Sequence, residues 1–234
     1  MNVFGKNVAK ELLANNRKIK KVILQNGFNE QTIIDDIERK NIPVEYIEKR
    51  QMDRLESGNN QGIILIIDDY KYIEEKDMLN NLGVNPFIVI LDHLEDPHNF
   101  GAIIRTCEAA GVDYIIIPKN RSVSVNSTVM KVSTGALDNV KIACVTNLNN
   151  TIKKLQEKGV WIVGTDMEDS EPYDQIDYTT PTALVIGSEG FGMSDLVKKN
   201  CDFIARIPMN GKVNSLNASV AAGIMIYEVI RQRK

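Results

Sequence analysis

Three stretches of the chain place charged or polar side chains among glycines and other small residues. Glu189 stands among three glycines in the stretch Gly187–Gly192, which follows an apolar run. Arg105 comes shortly after an Asp-Pro turn, and Asn217 opens a segment rich in alanine, serine and glycine. Glycine and other small residues let a backbone approach a ligand or another chain segment closely. These stretches are therefore the first candidates for a binding or catalytic site.

Local signals indicate where the helices beside these residues begin. Asn99 is a typical capping residue, and we expect it to cap the helix that carries Arg105. The arginine would then lie about one and a half turns past the cap and could reach into a site at the strand end. The alternative for this arginine is a charge on the solvent face of the helix. Ser194 is expected to cap the helix that begins at Asp195.

The sequence lacks the motifs of several common kinds of site, which removes the ordinary P-loop and weakens a dinucleotide-binding interpretation. Neither the G-x-S-x-G elbow of hydrolases nor a P-loop nor the G-x-G-x-x-G dinucleotide fingerprint occurs. The three cysteines are far apart, and with only His93 and His98 beside them no zinc pattern can be written. We predict no metal site, buried free thiols and a reducing, cytoplasmic environment.

The composition is that of an ordinary globular protein. Hydrophobic residues make up 43% of the chain and charged residues 25%, with a net charge of −3. This balance gives no sign of nucleic-acid binding by itself, although a local basic patch is compatible with it. Such a patch exists in Arg17, Lys18, Lys20 and Lys21, which we consider either an RNA contact or a solvated turn.

The order of apolar runs predicts two α/β domains. Residues 1–70 alternate between short strands and helices and form a unit of their own, and residues 71–85 are charged and asparagine-rich, which is typical of a linker. From residue 86 to 234 strands and helices alternate regularly, which predicts a mostly parallel sheet with helices on both faces. Ligands bind at the carboxyl ends of such strands. The loops to inspect follow Leu91, Thr165, Ile186 and Ile207.

The candidate stretches, taken together, resemble the motifs of a known family. They read D-P-x-N-x-G-A-I-x-R at Asp96–Arg105, I-G-S-E-G-x-G at Ile186–Gly192, and I-P-M-x-G-x-V-x-S-L-N-x-S-x-A at Ile207–Ala221. In this order they are similar to motifs one to three of the SpoU, or TrmH-type, ribose methyltransferases of the SPOUT class. The first 70 residues resemble the ribosomal-protein-like RNA-binding domain that precedes the catalytic domain in relatives acting on large-subunit ribosomal RNA. Where that domain often has H-Q-G, this chain has Asn60-Gln61-Gly62.

The resemblance implies a fold, a cofactor and a reaction. It implies a C-terminal trefoil knot, a homodimer, and S-adenosylmethionine bound in the knot. The expected reaction is methylation of a ribose 2′-hydroxyl in RNA, with a guanosine of large-subunit ribosomal RNA as the expected target. Transfer RNA is the alternative substrate. A non-catalytic RNA-binding protein of the same fold and a doubly wound enzyme acting on a small molecule are the other hypotheses.

The resemblance also implies roles for individual residues. Arg105 would activate the hydroxyl, either as a base of strongly lowered pKa or, as we favour, by stabilising the developing alkoxide. The other implied catalytic residues are Asn99, Glu189, Ser215 and Asn217. The implied cofactor-binding residues are Gly187, Ile207 and Leu216, through backbone amides and carbonyls.

Overall fold

The computed structural model describes residues 1–15, 18–56 and 58–234. Its internal contacts divide the chain into two compact units. The first comprises Met1–Lys71 and Val125–Gly135, and the second comprises Tyr72–Ser124 and Ala136–Lys234. Among the described residues, no helix has the length and apolar character needed to cross a membrane.

The first unit is built on a four-stranded mixed sheet. Its elements are β1 (Asn2–Phe4), α1 (Lys6–Ala14), β2 (Ile19–Gln25), α2 (Gln31–Arg39), β3 (Val44–Ile47), α3 (Lys49–Leu55) and β4 (Ile63–Ile67). The strand order is β1-β4-β2-β3, in which β4 runs antiparallel to both neighbours and β3 runs parallel to β2. The three-residue strand β1 was not predicted, because so short a segment has no periodicity of its own and forms only by pairing with β4.

The Asn-Gln-Gly turn organises the start of this unit. Gly5 precedes α1 and has no side chain with which to cap it, and the Oε1 atom of Gln61 accepts a hydrogen bond from the Lys6 amide at 2.7 Å instead. Asn60 is buried, and its Oδ1 atom accepts a hydrogen bond from the Gly62 amide at 3.0 Å. The turn therefore supplies a helix cap from 55 residues away along the chain.

The second unit contains a seven-stranded sheet whose pairs are all parallel. Its elements are α4 (Glu75–Asn80), β5 (Phe87–Asp92), α5 (Pro97–Ala109), β6 (Tyr114–Pro118), β7 (Ile142–Val145), α7 (Leu148–Gln156), β8 (Trp161–Thr165), β9 (Glu171–Pro172), β10 (Thr182–Gly187), α8 (Asp195–Lys199), β11 (Phe203–Arg206) and α9 (Ala218–Gln232); the helix α6 (Ser127–Ser133) lies in the first unit. The strand order is β7-β6-β5-β10-β8-β11-β9. The predicted parallel α/β sheet is confirmed.

Both faces of the central strands are covered. Every residue of β5 and β6 is buried, as expected for parallel strands between two helical layers. On one face Ile88 and Ile90 belong to a core that includes residues of α4, α7 and α8. The helices α5 and α9 pack against each other, and α9 also contacts β10. This arrangement brings the N-termini of α5 and α9 to the carboxyl edge of the sheet.

Two predicted helix caps are corrected by the structure. The cap of α5 is Asp96, whose Oδ1 atom accepts a hydrogen bond from the His98 amide at 3.0 Å, and Pro97 takes the first helical position. Proline suits that position because its missing amide would have no helical partner there. Asn99 therefore lies within the first turn, with its side chain free for other contacts. Ser194 does precede α8, but its hydroxyl donates to Asp92 at 2.9 Å and caps nothing.

Candidate active site at the carboxyl edge of the parallel sheet

Three loops of the second unit surround a cavity of about 560 Å³, which we call the first cavity. The loops follow β8, β10 and β11, the strands after which the sequence predicted a ligand site. Its wall includes Thr165, Gly187, Ile207, Ser215, Leu216 and Asn217. All three residues predicted to bind a cofactor therefore line one cavity, of a size typical of small-molecule sites.

A hydrogen-bonded triad joins the three sequence motifs beside this cavity. Asn99 donates from Nδ2 to Glu189 Oε1 at 2.5 Å, and Asn217 donates from Nδ2 to the same oxygen at 2.8 Å. Asn217 Nδ2 also lies 2.9 Å from Asn99 Oδ1, which accepts from it. Two amide donors thus fix one carboxylate oxygen, while Oε2 makes no hydrogen bond to any residue that the structure describes. The triad holds a negative charge in a defined orientation at the cavity wall.

The two ends of the Asn217 amide have separate tasks. Its Oδ1 atom caps α9 by accepting from the amides of Ser219 at 2.9 Å and Val220 at 3.3 Å, while Nδ2 serves the triad. The start of the last helix and the carboxylate of Glu189 are therefore coupled through one side chain.

A tight backbone turn presents Glu189. Ser188 and Gly192 exchange two backbone hydrogen bonds, of 2.9 and 3.0 Å, across the loop. A Cβ atom on Gly187 would lie 2.5 Å from the carbonyl oxygen of Gly192, and closer still to the Met193 amide, so no side chain fits there. The sequence predicted that this Cβ would meet a ligand or a neighbouring chain segment. In the structure it meets the backbone of its own loop.

Arg105 and Ser215 stand apart from the triad. Arg105 is exposed on α5, lines neither cavity described here, and makes no hydrogen bond or ion pair with the residues at 1–15, 18–56 and 58–234. Ser215 lines the first cavity and is exposed, likewise without a hydrogen bond to those residues. The structure thus brings together Asn99, Glu189 and Asn217, and among the residues that it describes the guanidinium of Arg105 has no partner.

The predicted basic patch of the first unit is partly neutralised. Lys20 lies 2.5 Å from Asp68 and Lys21 lies 2.5 Å from Glu45. The hydrogen bond from Lys20 lowers the pKa of Asp68 and raises that of the lysine. Lys18 is exposed, and Arg17 lies outside the described residues.

The second unit contains a further cavity beside two of the loops in which the sequence predicted a ligand site, those after Leu91 and Ile186. This second cavity, of about 800 Å³, is lined by the loop after β5, by Arg121 and by the loop that carries Glu189. Its floor is organised by the buried Asp92, which accepts hydrogen bonds from the Ser194 amide at 2.7 Å and from the Ser194 hydroxyl. Asp92 also lies 2.5 Å from Nδ1 of His93, a residue in the left-handed region with φ 59°. The sequence pointed to the loop after Leu91, but these contacts of Asp92 could not be read from it.

The three cysteines are free, as predicted, but only one of them is fully buried, whereas burial of all three was expected. Cys107 is fully buried, and desolvation raises the pKa of its thiol far above the usual range. Cys144 and Cys201 are only partly buried, and burial raises the pKa of Cys201 to about 12. None of the three is a reactive thiolate at neutral pH. Within the described ranges, no group of three or more His, Cys, Asp or Glu residues is placed to hold a metal ion.

Comparison with known protein families gives two matches that together span most of the chain. Residues 86–227 match the SpoU rRNA Methylase family, and residues 2–73 match the family described as RNA 2′-O ribose methyltransferase substrate binding. YacO of Bacillus subtilis, assigned to the TrmH family of tRNA/rRNA methyltransferases, is 43% identical over 237 residues, covering 99% of this chain and 95% of that protein. A TrmH family relative from Staphylococcus saprophyticus is also 43% identical, with the same coverage.

Solved structures share the fold, two of them over nearly the whole chain. The SpoU methyltransferase AviRb from Streptomyces viridochromogenes, in complex with AdoMet, superposes with a TM-score of 0.79 at 22% identity, covering 100% of this chain and 90% of that one. An AdoMet-bound rRNA methyltransferase from Sinorhizobium meliloti has a TM-score of 0.78 at 26% identity, covering 98% and 86%. The TrmH/SpoU tRNA modifying enzyme of A. aeolicus is 33% identical with a TM-score of 0.59, covering 68% of this chain and 80% of that enzyme.

Proposed function

The chain belongs to the SpoU rRNA methylase family of RNA 2′-O-ribose methyltransferases, and we propose that it methylates the ribose 2′-hydroxyl of a guanosine in large-subunit ribosomal RNA. The observation that carries the catalytic part of this proposal is the triad of Asn99, Glu189 and Asn217 beside the first cavity. It places a fixed carboxylate next to a site of small-molecule size, in an enzyme family that acts on RNA.

The first cavity suits S-adenosylmethionine. Its wall combines backbone groups of Gly187, Ile207 and Leu216 with the carboxyl group of Glu189, which fits a cationic ligand that also carries an adenine and a ribose. Asp166 also lines the wall, but Lys198 lies 3.2 Å from its carboxylate. The backbone groups would hold the adenine and ribose. When bound, the cofactor supplies a methyl group on a sulfonium that is already a good leaving group. The protein has to align the acceptor and increase the nucleophilicity of its hydroxyl.

Arg105 is the residue that we assign to the acceptor hydroxyl. A guanidinium stays protonated below about pH 12, so stabilisation of the developing alkoxide is the favoured role. Because Arg105 is exposed and unpaired among the described residues, its charge is available to an incoming ribose and its phosphate. Glu189, fixed by Asn99 and Asn217, would orient the ribose, and Ser215 would complete the wall of the pocket.

Ribosomal RNA is favoured over transfer RNA by the extent of the matches. A substrate-binding family matches residues 2–73, and an rRNA methyltransferase superposes on 98% of this chain. The tRNA modifying enzyme of A. aeolicus covers only 68% of it. On this proposal residues 1–70 bind RNA, through Arg17, Lys18, Lys20 and Lys21 among others, and residues 86–234 form the catalytic domain. Residues 71–85 link the domains, and α4 within this segment packs into the core of the second unit.

We further propose a homodimer with a trefoil knot near the C-terminus. The helix α9 leaves Val220 and Tyr227 about half exposed, which is unusual for apolar side chains of a helix in a parallel α/β unit and suits burial by a second copy. The first cavity is bounded both by the loop after β10 and by the segment before α9, as a knotted cofactor site would require. A ribosomal RNA substrate would place the protein in the cytoplasm.

Methyl transfer to separated RNAs tests the proposal. The purified protein is incubated with labelled S-adenosylmethionine and with either ribosomal or transfer RNA from a strain that lacks the gene. We expect label in large-subunit ribosomal RNA, at one guanosine, and none in RNA from the parent strain. Label confined to transfer RNA would overturn the substrate assignment, and no label in either RNA would overturn the proposed function.

A further inference from the structure

The second cavity adjoins the first across one loop. Both cavities are lined by Ser188, Glu189, Phe191 and Gly192, so the turn that carries the triad carboxylate is their common wall. The second cavity, of about 800 Å³, is large enough for a nucleoside. A methyl acceptor has to approach the cofactor to within bond-forming distance, so the acceptor nucleotide must arrive beside this wall.

We propose that the second cavity binds the base of the nucleotide that is methylated, with Phe191 stacked on the base and Glu95 accepting hydrogen bonds from guanine. This inference rests on the proposed function and extends it to the residues that select the target base. Enzymes that modify nucleotides commonly take the target base out of the stack and bind it by aromatic stacking and by hydrogen bonds to its Watson–Crick edge.

Phe191 has the exposure expected of a stacking residue. It lies at the tip of the turn between Ser188 and Gly192, and 93% of its surface is exposed. Leaving a phenyl ring in water forgoes the stabilisation that burial would give. The turn is closed by two backbone hydrogen bonds, so the ring is presented on a rigid support. A base entering the second cavity would cover it.

Among the described residues, the carboxylates of this cavity that remain available are Glu95, Asp195 and, through its Oε2 atom, Glu189, and Glu95 is the one on the loop after β5. Asp92 is occupied by Ser194 and His93, and Asp96 caps α5 through the His98 amide. Glu95 is exposed and makes no hydrogen bond or ion pair within the described part of the chain.

Guanine is the base that fits a free carboxylate best. It presents two adjacent donors, N1–H and the N2 amino group, to the two oxygens of one carboxylate, whereas adenine presents an acceptor beside a donor. Arg121 also lines the cavity, is exposed, and could bind the phosphate of the same nucleotide.

A fluorescent variant tests base binding without requiring catalysis. In a Trp161→Phe background, Phe191→Trp puts the single indole at the wall of the second cavity. Guanosine 5′-monophosphate at millimolar concentrations should quench the indole fluorescence saturably. Its affinity should be higher than that of the adenosine, cytidine or uridine monophosphates. Adding Glu95→Gln should weaken guanosine binding and narrow its preference over adenosine, since an amide cannot accept from both N1–H and the N2 amino group. Absence of saturable quenching, or a preference that Glu95→Gln leaves unchanged, would overturn the proposal.

Methyl transfer to ribosomal RNA gives the second test. Phe191→Ala should lower kcat/KM for RNA by between about 5- and 150-fold, the range expected for one lost base–aromatic stack. Because Phe191 also lines the first cavity, the rates are compared at saturating S-adenosylmethionine. Phe191→Tyr should restore the rate and Phe191→Leu should not. Leu196→Ala, which removes another exposed apolar side chain outside both cavities, is the matched control and should behave as the parent.

The two tests separate the failure of this inference from the failure of the proposed function. If Phe191→Ala transfers methyl groups to RNA at the rate of the parent protein, only the stacking assignment is overturned. A protein that binds guanosine monophosphate as expected but transfers no methyl group to RNA would refute the proposed function and leave the nucleotide site standing.

Discussion

At the scale of single residues, the candidate site depends on side chains that serve two partners at once. Asn217 joins the start of α9 to Glu189, and Asn99 joins α5 to the same carboxylate. The carboxylate lies at the protein surface, so without these two amides its position would be set by solvent. Fixing it before a ligand arrives reduces the reorganisation needed during the reaction.

The Asn217→Asp variant separates the two tasks of that residue. An aspartate still accepts the hydrogen bonds of the α9 cap, so we expect thermal stability within about 1 kcal/mol of the parent. It cannot donate to Glu189 and adds a second negative charge beside it, so methyl transfer should fall by at least about tenfold. The measurement is single-turnover methyl transfer together with thermal unfolding. Asn214→Asp, at another residue lining the first cavity, is the control and should keep its activity; equal losses in both variants would show a general charge effect.

Arg105→Ala tests the residue assigned to the acceptor hydroxyl. Loss of a group that stabilises developing negative charge typically lowers the rate by about 100- to 1000-fold, and we expect a loss of that order. Because Arg105 is exposed and makes no ion pair with the residues that the structure describes, folding and cofactor affinity should not change. Arg105→Lys should also be impaired, since an ammonium lacks the planar pair of donors. Lys153→Ala, an exposed cation on α7, is the control, and normal turnover in Arg105→Ala would refute the assignment.

At the scale of elements, Gly187 at the end of β10 leaves no room for a side chain. The Cβ of any side chain at Gly187 would collide with the backbone of Gly192 and Met193. By contrast, Gly223 in α9 has open space around its Cβ position. Close packing therefore does not account for every small residue of the last helix, although the sequence had led us to expect that it would.

Gly187→Ala should open the turn that carries Glu189. A methyl group cannot fit beside the Gly192 carbonyl, so the loop must shift, and we expect S-adenosylmethionine affinity to fall by at least about tenfold. Titration calorimetry measures this affinity. Gly211→Ala is the matched control, because no atom lies within 4 Å of its Cβ position and its backbone is unstrained. An unchanged affinity in Gly187→Ala would show that the turn adapts without affecting the cofactor site.

A carboxyl group in the C-terminal half of α9 should make the stability of the protein depend on pH in the acid range. Glu228 is buried and accepts two hydrogen bonds from Arg231, of 2.8 and 2.7 Å, which lower its pKa below the ordinary value of 4.5. A carboxyl group whose pKa is lower in the folded state stabilises the protein at pH values above its pKa in the unfolded state. This stabilisation is lost as the pH falls through the pKa of the folded state. Glu228→Gln should therefore lower Tm at pH 7 and make little difference near pH 3. A difference in Tm that is independent of pH would contradict this account.

At the scale of the whole molecule, local patterns predicted most of the architecture. Continuous apolar runs identified β5, β6 and β10, because strands buried on both faces have a strong local signal. The two-residue strand β9 was missed because it exists only through pairing with β11. The motifs identified Asn99, Glu189 and Asn217, but their mutual hydrogen bonds, 90 and 118 residues apart along the chain, could not be read from spacing. The loops after Leu91 and Ile186 were identified as candidate ligand loops, but the second cavity that they form together could not be read from spacing either.

The basic patch of the first unit should contribute less to RNA binding than its four charges suggest. Changing Arg17, Lys18, Lys20 and Lys21 together to Gln should weaken RNA binding and lower the slope of its salt dependence, by less than about four units because Lys20 and Lys21 already pair with carboxylates. Cofactor affinity should be unchanged, since the first cavity is built by the second unit. Neutralising Lys153, Lys154 and Lys158 is the control. An unaltered affinity and slope in the four-fold variant would show that the patch does not contact RNA.

The central claim is that the methyl group goes to a ribose 2′-oxygen of RNA, and alkaline hydrolysis of the labelled product tests it most directly. Alkali cleaves RNA through attack by the free 2′-hydroxyl on the adjoining phosphate, so a methylated ribose protects the bond that follows it. Large-subunit ribosomal RNA from a strain lacking the gene is labelled by the purified protein and digested in alkali. We predict that the labelled methyl group is recovered in an alkali-stable dinucleotide that begins with guanosine. Recovery of the label in mononucleotides, which would indicate methylation of a base, would contradict the account.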